Sequence, residues 1–363
     1  MKKIVLSLML SVSIIACGEK TETPKENTKP VVKIGAIFPL SGDSAESGEY
    51  ARDALIMAME DAKNQNLKYD YKVLIEDDQF KSKLTAAITN KFIFQDKINA
   101  MLTYYAPAGF IFKPLAQQNK IVHLSNTWEE KVGDGEYSFT QFASMPEMID
   151  VGVKYLVKNN IKKVAVISEM RATSEEFASN FTKEMERKGI QTRMDTFTRG
   201  TLDFRLLIRK FLNEGYEYFL VNSIKPEFDI IVKQLHEVGI TNDKIMGICG
   251  ELTPAKELYN GIVFPGTTIG TKDFNDRYKI RFGRYPNYAS VITYDLALLL
   301  VKAYEENAIK NNIPEVEKVI EYIKKIQQYD CNAIKCTMMN NGHINNPANL
   351  RKCVNAEYVL IEE

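Results

Sequence analysis

Few side chains in this sequence are spaced for covalent chemistry. Glu76-Asp77-Asp78 is a run of carboxylates, and paired acids can divide acid and base roles between them. The run closes a strand-like segment, however, where a solvated turn accounts for it. His123, His236 and His343 lie too far apart for metal-ligand spacing. Gly-x-Ser-x-Gly, Gly-x-x-x-x-Gly-Lys, Gly-x-Gly-x-x-Gly and Cys-x-x-Cys do not occur, which removes the usual signatures of acyl transfer, phosphate cradling, dinucleotide binding and dithiol exchange. The expectation is a protein without enzyme activity, metal or cofactor.

The cysteines carry a different chemistry. Met-Lys-Lys opens the chain, an apolar run extends from Ile4 to Ala16, and Ile14-Ile15-Ala16-Cys17 follows the pattern of a bacterial lipobox. Residues 1–17 read as an export signal too short to span a bilayer, with Cys17 as the lipid acceptor. Gly18 to Pro30 (GEKTETPKENTKP) holds no large apolar residue and reads as a solvated tether. The expected location is therefore periplasmic or otherwise extracytoplasmic, anchored to a membrane by lipid. Cys249, Cys331, Cys336 and Cys353 remain, an even number in a compartment that permits disulfides. Their clustering after residue 330 points to at least one bridge there, the other reading being buried thiols acting as small apolar groups.

The elements that must position any site come next. In 363 residues, 47 Lys plus Arg balance 47 Asp plus Glu, and 45% of residues are apolar. That balance excludes nucleic acid as the main partner, and the apolar content excludes global disorder. At roughly 150 residues per domain, two domains are expected. Short β-branched runs alternate with amphipathic stretches: strand Lys33–Phe38, a helix near Gly48–Asn64 with Ala51, Ala54, Leu55, Ala58 and Ala62 on one stripe, strand Tyr71–Glu76, helix 82–95, strand 99–104, helix 108–118 and strand 121–124. The series restarts with helix 147–159, strand Lys163–Ser168, helix 174–188, strand 190–196, helix 203–214, strand 217–222, helix 226–238 and strands at 244–249 and 260–265. Such alternation means parallel sheets covered on both faces. Two series mean two lobes, with a ligand expected outside the strands' carboxyl ends.

Ile34-Gly-Ala-Ile-Phe-Pro-Leu-Ser-Gly42, Gly48 before an Ala-rich helix, Glu76-Asp-Asp-Gln79, Lys163-Val-Ala-Val-Ile167, Asp203-Phe204 and Tyr285-Pro-Asn-Tyr-Ala-Ser-Val-Ile-Thr-Tyr-Asp295 give the chain its resemblance. In order and spacing it is similar to the branched-chain amino-acid (Leu/Ile/Val) type of ABC-transporter substrate-binding protein over residues 31 to 330. This resemblance implies an α/β, two-lobed type I periplasmic-binding-protein fold, each lobe a mostly parallel sheet flanked by helices, joined by a three-crossover hinge. It places 31–144 plus 270–330 in lobe 1 and 145–269 plus 331–363 in lobe 2. It also implies a monomer that captures an amino acid or related small molecule by hinge closure and delivers it to an ABC permease.

Carried over residue by residue, the resemblance puts the family's first ligand turn at Tyr105-Ala106-Pro107-Ala108. The usual Ser is missing there, and Pro107 has no N–H, so carboxylate contact must come from the amides of Ala106 or Ala108. Ser125-Asn126-Thr127 matches the second turn; its polar atoms suit a carboxylate or ammonium, although Thr127-x-x-Glu130 also spells a capping box. Thr173-Ser174 stands where the family has Tyr-Gly, and Thr173-x-x-Glu176 is again a capping pattern. Arg171 is placed to pair with a carboxylate. The acidic partner of an amino group falls at Cys249, or at Glu251 after a slip of two. Ser47 replaces a family aromatic, and Ile224 or Lys225 another, while Tyr104, Tyr105 and Trp128 offer aromatic surface near the cleft mouth. Two other readings keep the scaffold: a lipoprotein that binds and activates a cell-wall synthase, with the cleft filled by its own side chains, and a ligand sensor with a partner other than a permease.

Overall fold

The computed structural model describes residues 29–361 apart from 43, 249–256, 268–269, 327, 332–334 and 356. Cys17, Cys249 and Glu251 lie outside the described residues. In chain order the first half comprises β1 (Val31–Phe38), α1 (Ala45–Lys63), β2 (Asp70–Asp77), α2 (Ser82–Asn90), β3 (Ala100–Tyr104), α3 (Ala106–Asn119), β4 (Val122–Asn126), β5 (Ser138–Ala143), α4 (Met145–Lys158), β6 (Lys163–Glu169), α5 (Ala172–Arg187) and β7 (Gln191–Phe197). There follow α6 (Arg205–Asn213), β8 (Tyr218–Asn222), α7 (Glu227–Glu237), β9 (Ile245–Ile248), β10 (Val263–Thr267), α8 (Lys272–Phe282), α9 (Tyr288–Glu306), α10 (Val316–Lys325), β11 (Gln328–Asp330), β12 (Lys335–Met338), β13 (His343–Asn346), β14 (Ala348–Val354) and β15 (Glu357–Leu360).

The strands form two sheets, ordered β11-β12-β13-β5-β4-β3-β1-β2 and β15-β14-β10-β9-β8-β6-β7. From β13 through β2 and from β10 through β7 all pairings are parallel. Each sheet therefore reverses its winding direction once, between β1 and β3 in lobe 1 and between β6 and β8 in lobe 2. Those switch points leave a crevice at the strands' carboxyl ends where adjoining loops diverge.

Local sequence explains the elements that flank the crevice. β1 is buried from Ile34 to Phe38 save for its half-exposed Lys33 neighbour, as a central parallel strand must be. The Ala51, Ala54, Leu55, Ala58, Ala62 stripe of α1 is buried against α9, a helix buried along almost its whole length. Gly48 lies where any Cβ would come 1.9 Å from the Pro39 carbonyl oxygen. That close approach seats α1 on the β1 turn. Gly48→Ala is therefore expected to cost about 2–3 kcal/mol through forced backbone displacement, readable as a lower urea midpoint.

The C-terminal assignment needs correction. Residues 335–346 do not join lobe 2: β12 and β13 extend the lobe 1 sheet, with His343 to Asn346 paired in parallel to Thr140 to Ala143. The third crossover thus falls between Asn346 and Ala348 instead of at 331, and only β14 and β15 complete the lobe 2 sheet. The physical reason is a polar edge on β5. Thr140 Oγ1 lies 2.8 Å from Nδ1 of the buried His343, and Gln141 donates to Asn346 at 3.1 Å. Ser144 N donates to Asn345 Oδ1 at 2.8 Å, which ties the first crossover to the third. One disulfide, Cys331–Cys336, staples the β11–β12 hairpin with Cα atoms 6.4 Å apart. Cys353 is buried in the lobe 2 core.

Candidate interlobe binding site

Lobe 1 builds its side from the β1 and β3 ends. The Asp77 carboxylate, at the end of β2, accepts from Leu40 N at 2.7 Å, Ser41 Oγ at 2.5 Å and Gln79 N at 2.8 Å, fixing the turn ahead of α1. Partial burial opposes its ionisation, but these bonds outweigh it and hold its pKa below the usual range. Its neighbour Asp78 is pushed the other way, because burial exceeds the help of Thr85 and Phe80 N.

Tyr105 is the strained residue of the site. It precedes α3 with φ 70° and ψ 150°, a region that costs a side-chain-bearing residue about 1–3 kcal/mol and collects at ligand clamps. Its hydroxyl bonds that of Ser47 on α1, and its ring meets Phe80 edge-on at 4.9 Å. Burial raises its pKa, with Ser47, Tyr104 and Arg171 opposing. Behind it Tyr104 is a core residue, hydrogen-bonded to Tyr288. No side chain caps α3, and Pro107 lacks an N–H, so the amides of Ala106 and Ala108 are the donors its first turn can present.

The Ser125-Asn126-Thr127 turn is used mostly inward. Ser125 Oγ accepts from Thr103 at 2.9 Å beneath α3, close to where a Cβ on Gly109 would sit. Asn126 donates to Ala289 O and Thr293 Oγ1, both at 3.1 Å. Thr127 Oγ1 accepts from Glu129 N at 3.2 Å, a local turn and not the capping box, while Glu129 accepts from Lys131 N at 3.1 Å.

Lobe 2 answers from the β6 end. Arg171 begins α5 in an extended conformation, and its Nε and Nη2 donate to Ser174 Oγ at 3.2 and 2.9 Å. Among the described residues no carboxylate pairs with it; its charge instead acts on Tyr105 across the cleft. Asn222, at the β8 end, secures this corner by donating to Ser168 Oγ at 3.0 Å and Ser174 O at 2.7 Å. Thr173 sits inside the first turn of α5 and does not cap it; Glu176, its supposed box partner, reaches across to Lys131 at 2.8 Å. The lobes also meet through Lys225–Glu46 at 3.0 Å and through Trp128 edge-on to Phe177 at 5.7 Å. Trp128 is thus an interlobe packing residue.

The structure therefore brings together Ser47, Tyr105, Ala106, Ala108 and Arg171. It turns Ser125 and Asn126 into supports. Sequence reasoning missed Phe80 and Asn222, whose only signal was position after β2 and at the end of β8, and it noted Ser174 only as the position of a family glycine. Among the described residues no three His, Cys, Asp or Glu side chains group to hold a metal ion, and no helix is long and apolar enough to cross a membrane.

Comparison with known proteins agrees with this architecture. Residues 31–357 match the family model for periplasmic binding proteins. An amino acid binding protein of Pseudomonas aeruginosa is 24% identical over 232 residues, 58% of this chain and 58% of that protein. A leucine binding protein from Thermotoga maritima superposes with a TM-score of 0.80 at 19% identity, covering 91% of this chain and 98% of that one. A solute binding protein of an ABC transporter from Rhodopseudomonas palustris, in complex with 3,4-dihydroxybenzoic acid, gives 0.77 at 20% identity, covering 92% and 96%. The matched family model spans nearly all the described residues, and the chain belongs to the periplasmic binding protein family.

Proposed function

We propose that this protein is the solute-binding lipoprotein of an ABC importer, capturing a small carboxylate-bearing molecule, an amino acid or a relative of one, between its lobes. The observation that carries this reading is Arg171, a half-buried guanidinium without a carboxylate partner among the described residues, opposite the uncapped start of α3 and the strained Tyr105. Amide donors at a helix start and a bidentate guanidinium are complementary to one carboxylate. Capture needs no chemistry. The ligand favours closure only by touching both lobes, since equal affinity for open and closed states would shift nothing.

Lipidation at Cys17 would hold the protein beside its permease, with residues 18–30 as the tether. The relatives name a range of ligands, an amino acid, leucine and a dihydroxybenzoic acid, and the carboxylate is what they share. The test is a thermal-shift panel on residues 18–363 with amino acids, aromatic acids, amides and nucleosides. A ligand at about 100 times its Kd adds roughly 2.7 kcal/mol of stability. Hits confined to carboxylates support the reading. Silence across the panel overturns it in favour of the protein-binding lipoprotein.

The ion pair Lys225–Glu46, 3.0 Å apart, joins one lobe to the other. Glu46→Gln is expected to speed ligand release severalfold, the equivalent of at most about 1 kcal/mol for a part-exposed pair, with the difference from wild type vanishing at high salt. Stopped-flow release rates check this.

A further inference from the structure

We infer that this chain carries a second binding pocket, outside the cleft, that takes an acidic saccharide. The pocket encloses about 670 Å³, a volume typical of small-molecule sites. One wall is α8 with the loop from Gly283 to Asn287 that leads into α9; the other is the β14–β15 hairpin. Arg277–Asp61 at 2.7 Å and Arg281–Glu60 at 2.9 Å fasten α8 to α1 of lobe 1, whereas β14 and β15 belong to the lobe 2 sheet. The pocket therefore lies between the lobes, yet Ser47, Tyr105, Ala106, Ala108 and Arg171 do not line it.

Two unspent amide atoms on the lobe 1 wall call for a polar ligand. Asn287 is only 6% exposed. Its Oδ1 accepts from Ser290 N at 3.2 Å and caps α9, which leaves Nδ2 buried without a hydrogen-bond partner among the described residues. Asn275 is the converse: Nδ2 donates to Gly270 O at 3.0 Å, and Oδ1 is the buried atom without a partner. A buried donor and a buried acceptor are both costly until partners arrive, and a hydroxyl can serve as either.

Rings and charge narrow the class. Tyr285 and Tyr358 line the pocket from opposite walls and offer flat apolar surface for the CH face of a sugar ring. Lys279 Nζ sits 3.7 Å from the Tyr285 ring centroid, and the Arg351 guanidinium 5.8 Å from that of Tyr358. Burial lowers the Arg351 pKa to about 10, so it stays charged at neutral pH. Lys272 is paired with Asp276 at 2.5 Å and Arg284 with Asp53 at 2.7 Å. Lys279 instead bonds the Tyr285 hydroxyl and feels Glu357 only at a distance, which leaves its charge for an anionic group on the ligand. A neutral sugar lacks that group, and an aliphatic acid lacks the hydroxyls.

The test titrates residues 18–363 calorimetrically with D-glucuronate, D-glucose, acetate and glycylglycine, and with trigalacturonate to distinguish a free sugar acid from a unit of an envelope glycan. One of the two acidic sugars is expected to bind at least about tenfold more tightly than glucose or acetate, as loss of one charge-assisted contact implies. Lys279→Gln removes an exposed charge and should weaken that sugar about tenfold with the melting temperature unchanged. Asn287→Asp keeps the capping oxygen and removes the donor, and should weaken it similarly; if this variant does not fold, Lys279→Gln still decides. Arg171→Gln should bind the sugar as wild type does, so the pocket and the cleft succeed or fail separately. Equal binding of acidic and neutral sugars, glycylglycine as the tightest probe, a sugar affinity untouched by Lys279→Gln or lost in Arg171→Gln, or silence for both acidic sugars would each overturn the inference.

Discussion

Arg171→Gln is expected to weaken ligand binding roughly 10- to 100-fold, as loss of a charge-assisted hydrogen-bond pair worth about 1.5–3 kcal/mol implies. Glutamine retains one donor nitrogen but neither the charge nor the two-pronged geometry that matches a carboxylate. Folding should hardly register the change. Arg171 spends its visible bonds on one serine hydroxyl, Ser174 Oγ, and that oxygen's corner is separately secured by Asn222 bonding Ser174 O. A stability change within about 0.5 kcal/mol is therefore expected. Arg171→Lys should fall between, keeping the charge without the fork. Calorimetric titration beside a urea melt separates the two quantities. A variant that binds like wild type would remove Arg171 from the site.

Acid is expected to unfold this protein through two histidines that remain neutral in the fold. His123 is fully buried, its ring held by Thr103 at 2.8 Å and Ser138 at 3.0 Å, and burial, with a smaller push from Lys113, depresses its pKa to about 3. His343 is depressed to about 4, burial outweighing the opposing influence of Glu130. The unfolded chain protonates both near pH 6.5, whereas the folded one does not. Stability is therefore complete above pH 6.5 and falls as the pH drops toward the folded values. Each depressed unit is worth about 1.4 kcal/mol. Between pH 6.5 and 4 the two together should cost roughly 6 kcal/mol, comparable to the whole stability of many domains. Urea midpoints at pH 7, 5.5 and 4.5 should show this steep decline, with a shallower one in His123→Asn. An unchanged slope in that variant would mean His123 is not a source of the proton uptake.

Why some of this was legible and some was not follows from what is buried. β1 and β3 announce themselves because both faces are mostly apolar, and α1 because its alanine stripe must meet α9. β5 escaped notice. Its sequence Ser-Phe-Thr-Gln-Phe-Ala is entirely buried, yet half of it is polar, and those polar groups are satisfied by His123, His343 and Asn346 from other segments. No local pattern encodes such distant pairings. The same omission hid the edge on which β13 sits, so the last crossover was placed too early. Helix α2 stopped at Asn90 instead of near 95 because Lys91 to Asp96 unwinds into a π turn.

The site was legible in part. Tyr105, Ala106 and Ala108 occupy a helix start at the lobe 1 switch point, as the order of motifs implied. Ser125 and Asn126 look like ligand groups in sequence, but their strand directs one under α3 and the other under α9. Thr127 and Thr173 spell capping boxes that the backbone does not form, since a short turn takes the first hydroxyl and α5 begins one residue before the second.

The most direct measurement is a calorimetric titration of residues 18–363 with each thermal-shift hit and with its primary-amide analogue, in which the carboxylate alone is neutralised. Binding of the acid at least tenfold more tightly than the amide, and loss of that difference in Arg171→Gln, is the result expected of a cleft built around one carboxylate. Equal binding of acid and amide, or a difference that survives in Arg171→Gln, would contradict it.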